Sequence, residues 1–184
     1  LRHPNDLVVP EFGMVSCAVI HTRAAAQVAR DVAGITGIEI AAHMDGGQLV
    51  VLRRDERARV SCREGRFRYE AERGDPLELL GVLDALARRG LIDAGGYAAD
   101  ADLFAATADG VYPDAVQRLW HAFHGLVEHP PDVVLSLEER YFAGDLAMAR
   151  LIDLVGIHGS LRPAILSLIF FFVVMPRLNR FHFK

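Results

Sequence analysis

Hydrophobic positions along this chain change period several times, and each change predicts an element. Residues 14–20, Met14-Val-Ser-Cys-Ala-Val-Ile20, form an apolar stretch of the right length for a buried strand. Thr22 is placed to N-cap a helix over residues 23–33, which Gly34 should stop. Residues 38–44 and 48–53 read as strands around the turn Asp45-Gly-Gly47. Residues 58–62 and 67–71 alternate around Glu64-Gly65 with the two-residue period of half-buried strands, so 38–72 reads as an antiparallel meander. Helical spacing then returns. Asp75-Pro76 supplies an N-cap and a first-turn proline, and Leu77, Leu80, Leu83, Leu86 and Ala87 should share a face before Gly90. A Gly- and Ala-rich loop around residues 94–97 leads to a helix over 113–124 that Gly125 stops, and Pro130-Pro131 introduces a strand over 132–137. Residues 164–175 are almost wholly apolar between Pro163 and Pro176. They are too few for a comfortable membrane span and rich in Ile, Phe and Val, so a buried terminal strand is expected, with interfacial membrane contact helped by Arg177, Arg180 and Lys184 as the alternative.

Composition narrows the class without naming a chemistry. The chain has 184 residues, 52% hydrophobic and 24% charged, which suits one compact domain or a part of a larger one. A net charge of -4 and pI near 6.1 argue against a general nucleic-acid binder. Two cysteines, Cys17 and Cys62, exclude a disulfide-dense scaffold and fit a reducing, cytoplasmic compartment. The first residues lack a basic segment followed by an apolar core, so no signal peptide is visible, and the absent initiator Met suggests a fragment. Strands and helices mix without a tandem repeat. The expected class is α/β: a central mixed sheet flanked by helices, with the meander at 38–72 inserted and the domain incomplete.

Candidate chemistry is sparse. His121 and His124 stand three apart on a predicted helix, with His129 soon after, but lack the Glu of His-Glu-x-x-His and read as solvent-facing. His43 reads as a strand-end residue, and His21 precedes a helix N-cap with no partner in view. His158 lies between an apolar stretch at 151–155 and Gly159-Ser160, the kind of glycine-flanked loop where backbone can approach a ligand. Neither a phosphate-binding Gly-x-x-x-x-Gly-Lys-Ser/Thr, a Gly-x-Gly-x-x-Gly nor a Gly-x-Ser-x-Gly occurs. The pairs Asp100/Asp102, Glu138/Glu139 and Asp145/Asp153 read first as solvated surface.

The order of motifs says more. Gly74-Asp-Pro-Leu77, Tyr112-Pro-Asp-Ala-Val-Gln-Arg-Leu119, Pro130-Pro-Asp-Val-Val-Leu-Ser-Leu137, Tyr141-Phe-Ala-Gly-Asp145 and Gly156-Ile-His-Gly-Ser-Leu161 together resemble the C-terminal half of the alkaline-phosphatase-like superfamily. The likeness is to its bacterial type I phosphodiesterase/nucleotide pyrophosphatase-like branch and covers roughly residues 22–161. It implies a central sheet flanked by helices and a two-metal site, commonly zinc, that neutralises phosphoryl oxygens and activates a Thr or Ser nucleophile. A late His followed by Gly is a ligand there, so the resemblance makes His158 a ligand to zinc or manganese, and a small phosphoester the substrate. The superfamily places its nucleophile and an Asp-His-Gly motif N-terminal to the matched region, and this chain has no Asp-His-Gly. A catalytic metal needs about three protein ligands. The resemblance therefore implies the C-terminal portion of a metal-dependent phosphatase or phosphodiesterase, inactive alone, with no catalytic residue of its own. The alternative is a non-catalytic α/β binding or interaction module, membrane-associated if residues 164–175 touch lipid.

Overall fold

The computed structural model describes residues 1, 3, 6–10, 15–125, 128–139, 141–144, 159–163 and 172–173. His158, Asp145 and Asp153, and all of the 164–175 run except residues 172–173, lie outside the described residues. The strands are β1 (Leu7–Val8), β2 (Cys17–Thr22), β3 (Ile38–Asp45), β4 (Gln48–Arg53), β5 (Glu56–Arg63), β6 (Arg66–Arg73), β7 (Ala98–Ala99), β8 (Val133–Leu137), β9 (Tyr141–Phe142) and β10 (Phe172–Val173). The helices are α1 (Ala25–Ala33), α2 (Leu80–Arg88), α3 (Asp100–Thr107) and α4 (Ala115–His124). None is long and apolar enough to cross a membrane, among the described residues.

Eight strands make one sheet in the order β1-β2-β8-β3-β4-β5-β6-β7, with every neighbouring pair antiparallel. β9 and β10 pair in parallel as a separate ribbon. Because β2 and β3 both run antiparallel to β8, they run parallel to each other across it, and α1 makes the crossover between them. The α/β class of the sequence reading is what the fold shows. The meander continues this sheet: β3 through β6 are joined by tight turns with left-handed backbone at Gly46, Gly47, Glu64 and Gly65.

The sheet carries a core on each face. Along β4, Val50 and Leu52 pack with Val28 and Val32 of α1, whereas Leu49 and Val51 pack with Leu86 of α2, Leu103 of α3 and Leu119 and Phe123 of α4. Central strands buried on both sides read as near-continuous apolar runs: β4 is apolar from Leu49 to Leu52, and β3 is buried from Ile38 to His43 with Glu39 and His43 as its buried polar exceptions. β5 and β6 are covered on one face only. Their other face holds Arg57, Arg59, Glu70 and Glu72, with Glu72 accepting from Arg59 Nε at 2.7 Å and ion-paired with Arg57 at 2.5 Å.

Three sequence expectations need correction. α1 begins at Ala25, not at residue 23, because Thr22 closes a short turn first, its Oγ1 accepting from the Ala24 N–H at 3.2 Å. α2 begins at Leu80: Glu78 is left-handed at φ 55° and breaks the helical phase, so Leu77 is buried while Leu80 is 48% exposed. α3 falls where only a loop and the approach to the next helix were expected. Its sequence buries only Leu103 and Thr107, too sparse a stripe to announce a helix.

Candidate functional site

The site is built at the end of the sheet where β3 begins and β4 and β8 finish. In β3 the pairing with β8 shifts between Ile38 and Ile40, so Glu39 is an extra residue in the ladder. The consequence shows in the cores: Ile38 packs on the α1 side and Ile40 on the opposite side, although residues two apart in a regular strand share a face. The bulge carries the Glu39 side chain inward, leaving the residue 6% exposed.

Two donors meet that carboxylate. Tyr112, in the turn before α4 and 2% exposed, donates its hydroxyl to Glu39 Oε1 at 3.0 Å. Arg162 donates Nε to the same oxygen at 2.6 Å, and its guanidinium lies 5.5 Å from the centre of the Tyr112 ring. Burial, followed by the charge of Glu39, pushes the Tyr112 hydroxyl up to about 12, so it stays protonated and donates at neutral pH. Glu39 Oε2 is buried with no hydrogen-bond partner among the described residues.

Arg162 is placed by the segment before it. Gly159 sits against Cys17 with φ +107°, so close that a Cβ there would stand 2.7 Å from the Cys17 Sγ. Arg118 of α4 donates to the carbonyls of Ser160 and Leu161 at 2.6 and 3.0 Å. The Leu161 N–H donates to Ser136 Oγ of β8 at 3.0 Å, and the Leu161 side chain enters the core beside α4. Residues 159–162 thus form a strap across the end of β8, ending in the Arg162–Glu39 pair.

Beside this pair opens a cavity of about 310 Å³, lined by Ile38 and by six charged residues: Glu39, Arg53, Arg54, Glu138, Glu139 and Arg162. Arg53 donates to Glu78 at 2.9 Å, and Arg54 approaches Glu138 at 3.6 Å. Three guanidiniums and three carboxylates therefore share one small opening. The pair Glu138/Glu139, read as solvated surface, forms part of its rim, with Glu138 half-buried and Glu139 exposed.

The other sequence candidates lie apart from it. His121, His124 and His129 are exposed, as expected, with His124 stacked on Trp120 at 4.1 Å between ring centres. His43 is buried within β3, its Nδ1–H donating to the Met44 carbonyl at 3.1 Å, and burial holds its pKa below the ordinary value. His21 is half-buried in β2. Asp100 and Asp102 occupy the first turn of α3, where Asp100 accepts from Gln117. Both thiols are free, and burial pushes that of Cys17 up, away from reactivity.

The described side chains do not fit a zinc or manganese centre by themselves. No three His, Cys, Asp or Glu residues come together among them as a cage. Glu39 already has one oxygen taken by two donors, and three guanidiniums would repel a cation in the cavity. Sequence reasoning missed Glu39, Arg53 and Arg162, since Ile38-Glu39-Ile40 looks like ordinary alternation with the charge facing water. Only the pairing register reveals the bulge. Comparison of the chain with protein-family models, with curated proteins and with solved structures gives no match.

Proposed function

We propose that this chain is a portion of a metal-dependent phosphatase or phosphodiesterase, furnishing substrate-side contacts and one metal ligand, His158, while the nucleophile and the remaining ligands come from outside these residues. The observation that carries this reading is the strap. The residues following His158 in the motif Gly156-Ile-His-Gly-Ser-Leu161 are tied to β8 and α4, and the next residue, Arg162, lines a cleft with Arg53 and Arg54. Guanidiniums present paired N–H donors that match phosphoryl oxygens, so a phosphate ester is the substrate class this lining suits. Zinc or manganese enters through the resemblance and His158, which lies outside the described residues.

The test is zinc and manganese content after dialysis, with p-nitrophenyl phosphate and bis-p-nitrophenyl phosphate turnover on the same samples, for the chain and its His158→Ala variant. Expected are no turnover above background in either and less retained metal in the variant. Equal metal in both removes His158 from a ligand role. Robust turnover that disappears in His158→Ala overturns the claim that the nucleophile lies elsewhere.

A second reading, a non-catalytic α/β binding module, is favoured by the cleft itself. It holds charged groups suited to binding and no Ser-His or Cys-His pair for covalent chemistry among its lining residues. The membrane version of this module rests on residues 164–175 and is tested by liposome flotation with that segment intact.

A further inference from the structure

Beyond the first strand, the exposed large apolar side chains among the described residues all lie on α2, on α3 or in the turn after α3. Leu80 opens α2 and is 48% exposed, and Phe104 on α3 is 56% exposed. The two helices pack against each other, and Leu79 and Leu103, the buried residues just before these two, line one small cavity. Leu80 and Phe104 are thus left on the outer surface of a single helix pair, where a surface apolar on both helices favours association.

The charges around that pair say what covers it. Leu80, Asp84 and Arg88 fall at i, i+4 and i+8 and form one exposed stripe along α2, which Arg89 extends, and exposed Asp109 follows α3. The side chains of Asp84, Arg88, Arg89 and Asp109 have no hydrogen bond or ion pair with any described residue. Every other described arginine has such a partner. Two positive and two negative groups therefore surround an apolar pair, and none is neutralised within the chain. A partner of one sign would be repelled by half of them, whereas a second copy brings both signs in equal number, and a two-fold axis brings together groups from opposite sides of the patch. We infer that this face is a two-fold contact between copies of the chain, with Leu80 and Phe104 at its centre and Arg88 and Arg89 of one copy meeting Asp84 and Asp109 of the other. Helices of nine and eight residues are only about 13 and 12 Å long, so the contact is smaller than the roughly 800 Å² per partner of a standard interface and the dimer is weak, with a Kd of about 0.1 mM. This surface uses neither His158 nor the cleft, so it stands or falls apart from the hydrolase reading.

The experiment is sedimentation equilibrium of the full chain at low salt, with loading concentrations from about 5 to 500 µM spanning that Kd. The weight-average mass should rise from 20.3 kDa toward twice that value. Phe104→Glu and Leu80→Glu, each at an exposed position and so independent of the core, should both weaken the association at least about tenfold by burying a charge at the centre of the contact. The pair Arg88→Glu with Arg89→Glu leaves the patch negative, and Asp84→Arg with Asp109→Arg leaves it positive, so each double variant should repel its own copies. An equimolar mixture of the two should associate again, because opposite charges then face each other. A mass that stays at that of the monomer throughout the range overturns the proposal. Association that persists unchanged in both Phe104→Glu and Leu80→Glu overturns it too and assigns the contact to another surface, residues 164–175 included. Double variants that associate as the unmodified chain does, or a mixture that fails to regain what each has lost, would overturn the pairing of arginines with carboxylates across the axis.

Discussion

At the scale of single residues, the molecule places polar and conformationally special groups where their surroundings leave little freedom. Gly159 adopts φ +107° and lies under the Cys17 sulfur. An alanine there meets two obstacles, a backbone region closed to L side chains and a Cβ 2.7 Å from Sγ. Gly159→Ala should therefore destabilise the chain by about 1–3 kcal/mol, measured by urea unfolding, and Cys17→Ala should recover only the steric share. Full recovery would mean that the backbone conformation costs nothing. His43 makes a different prediction. It is 3% exposed with its pKa lowered, chiefly by burial, from the ordinary 6.5. Above about pH 6.5 the unfolded histidine is also neutral and no penalty operates; below it the unfolded chain takes up a proton that the folded chain resists. Stability should thus fall with acid from pH 6.5 until the lowered folded pKa is passed. Urea midpoints between about pH 5 and 8 should show this slope, and His43→Gln should remove its histidine share. An identical slope in the variant would assign the acid sensitivity to other groups.

Elements are fixed by a few such residues acting on the backbone. Asp75 is the best case: its Oδ1 accepts from Tyr69 and from the Leu79 N–H at 2.7 and 3.0 Å, and its Oδ2 from the Leu80 N–H at 2.9 Å. One carboxylate therefore caps α2 and pins it to β6. Asp75→Ala should cost about 2–3 kcal/mol, a cap plus a buried hydroxyl left unpaired, and Tyr69→Phe about 1 kcal/mol. In a double-mutant cycle by thermal unfolding, Tyr69→Phe should cost little once Asp75 is gone, whereas additive losses would deny the link. Asp75 also shows how far elements are legible in sequence. The capping residue is evident from Asp75-Pro76, but the helix starts five residues after it, since left-handed Glu78 inserts a turn that no hydrophobic period announces. The hairpin turns at Gly46-Gly47 and Glu64-Gly65 are legible because their backbone demands glycine or a residue tolerant of positive φ. α3 is not, because its burial depends on α2 packing beside it more than on its own pattern.

For the whole molecule, the features hardest to read are those that join distant residues. Glu39 and Arg162 are 123 positions apart, and Arg118 reaches Ser160 over 42. Local pattern marks Gly159-Ser160 as a loop but carries no sign that α4 clamps it or that a bulge in β3 receives the next arginine. That clamp has a measurable consequence. Arg118 holds the strap carbonyls, and the strap in turn lies over Cys17, so loosening one should uncover the other. Arg118→Ala should speed labelling of Cys17 by a thiol reagent, followed in a Cys62→Ser background. Two effects compete in this variant. The Arg118 charge favours the Cys17 thiolate, so its loss alone raises the thiol pKa further and slows the reaction. Release of the strap lowers the desolvation that is the larger cause of the raised pKa and opens a path to the sulfur. Faster labelling therefore reports strap release, because electrostatics alone gives the opposite sign. Ser136→Ala, which removes the hydroxyl that accepts the Leu161 N–H without touching any charge, should speed labelling in the same direction. Slower labelling in Arg118→Ala with no change in Ser136→Ala would mean that the strap holds without these bonds, through the core packing of Leu161 and the Arg162–Glu39 pair.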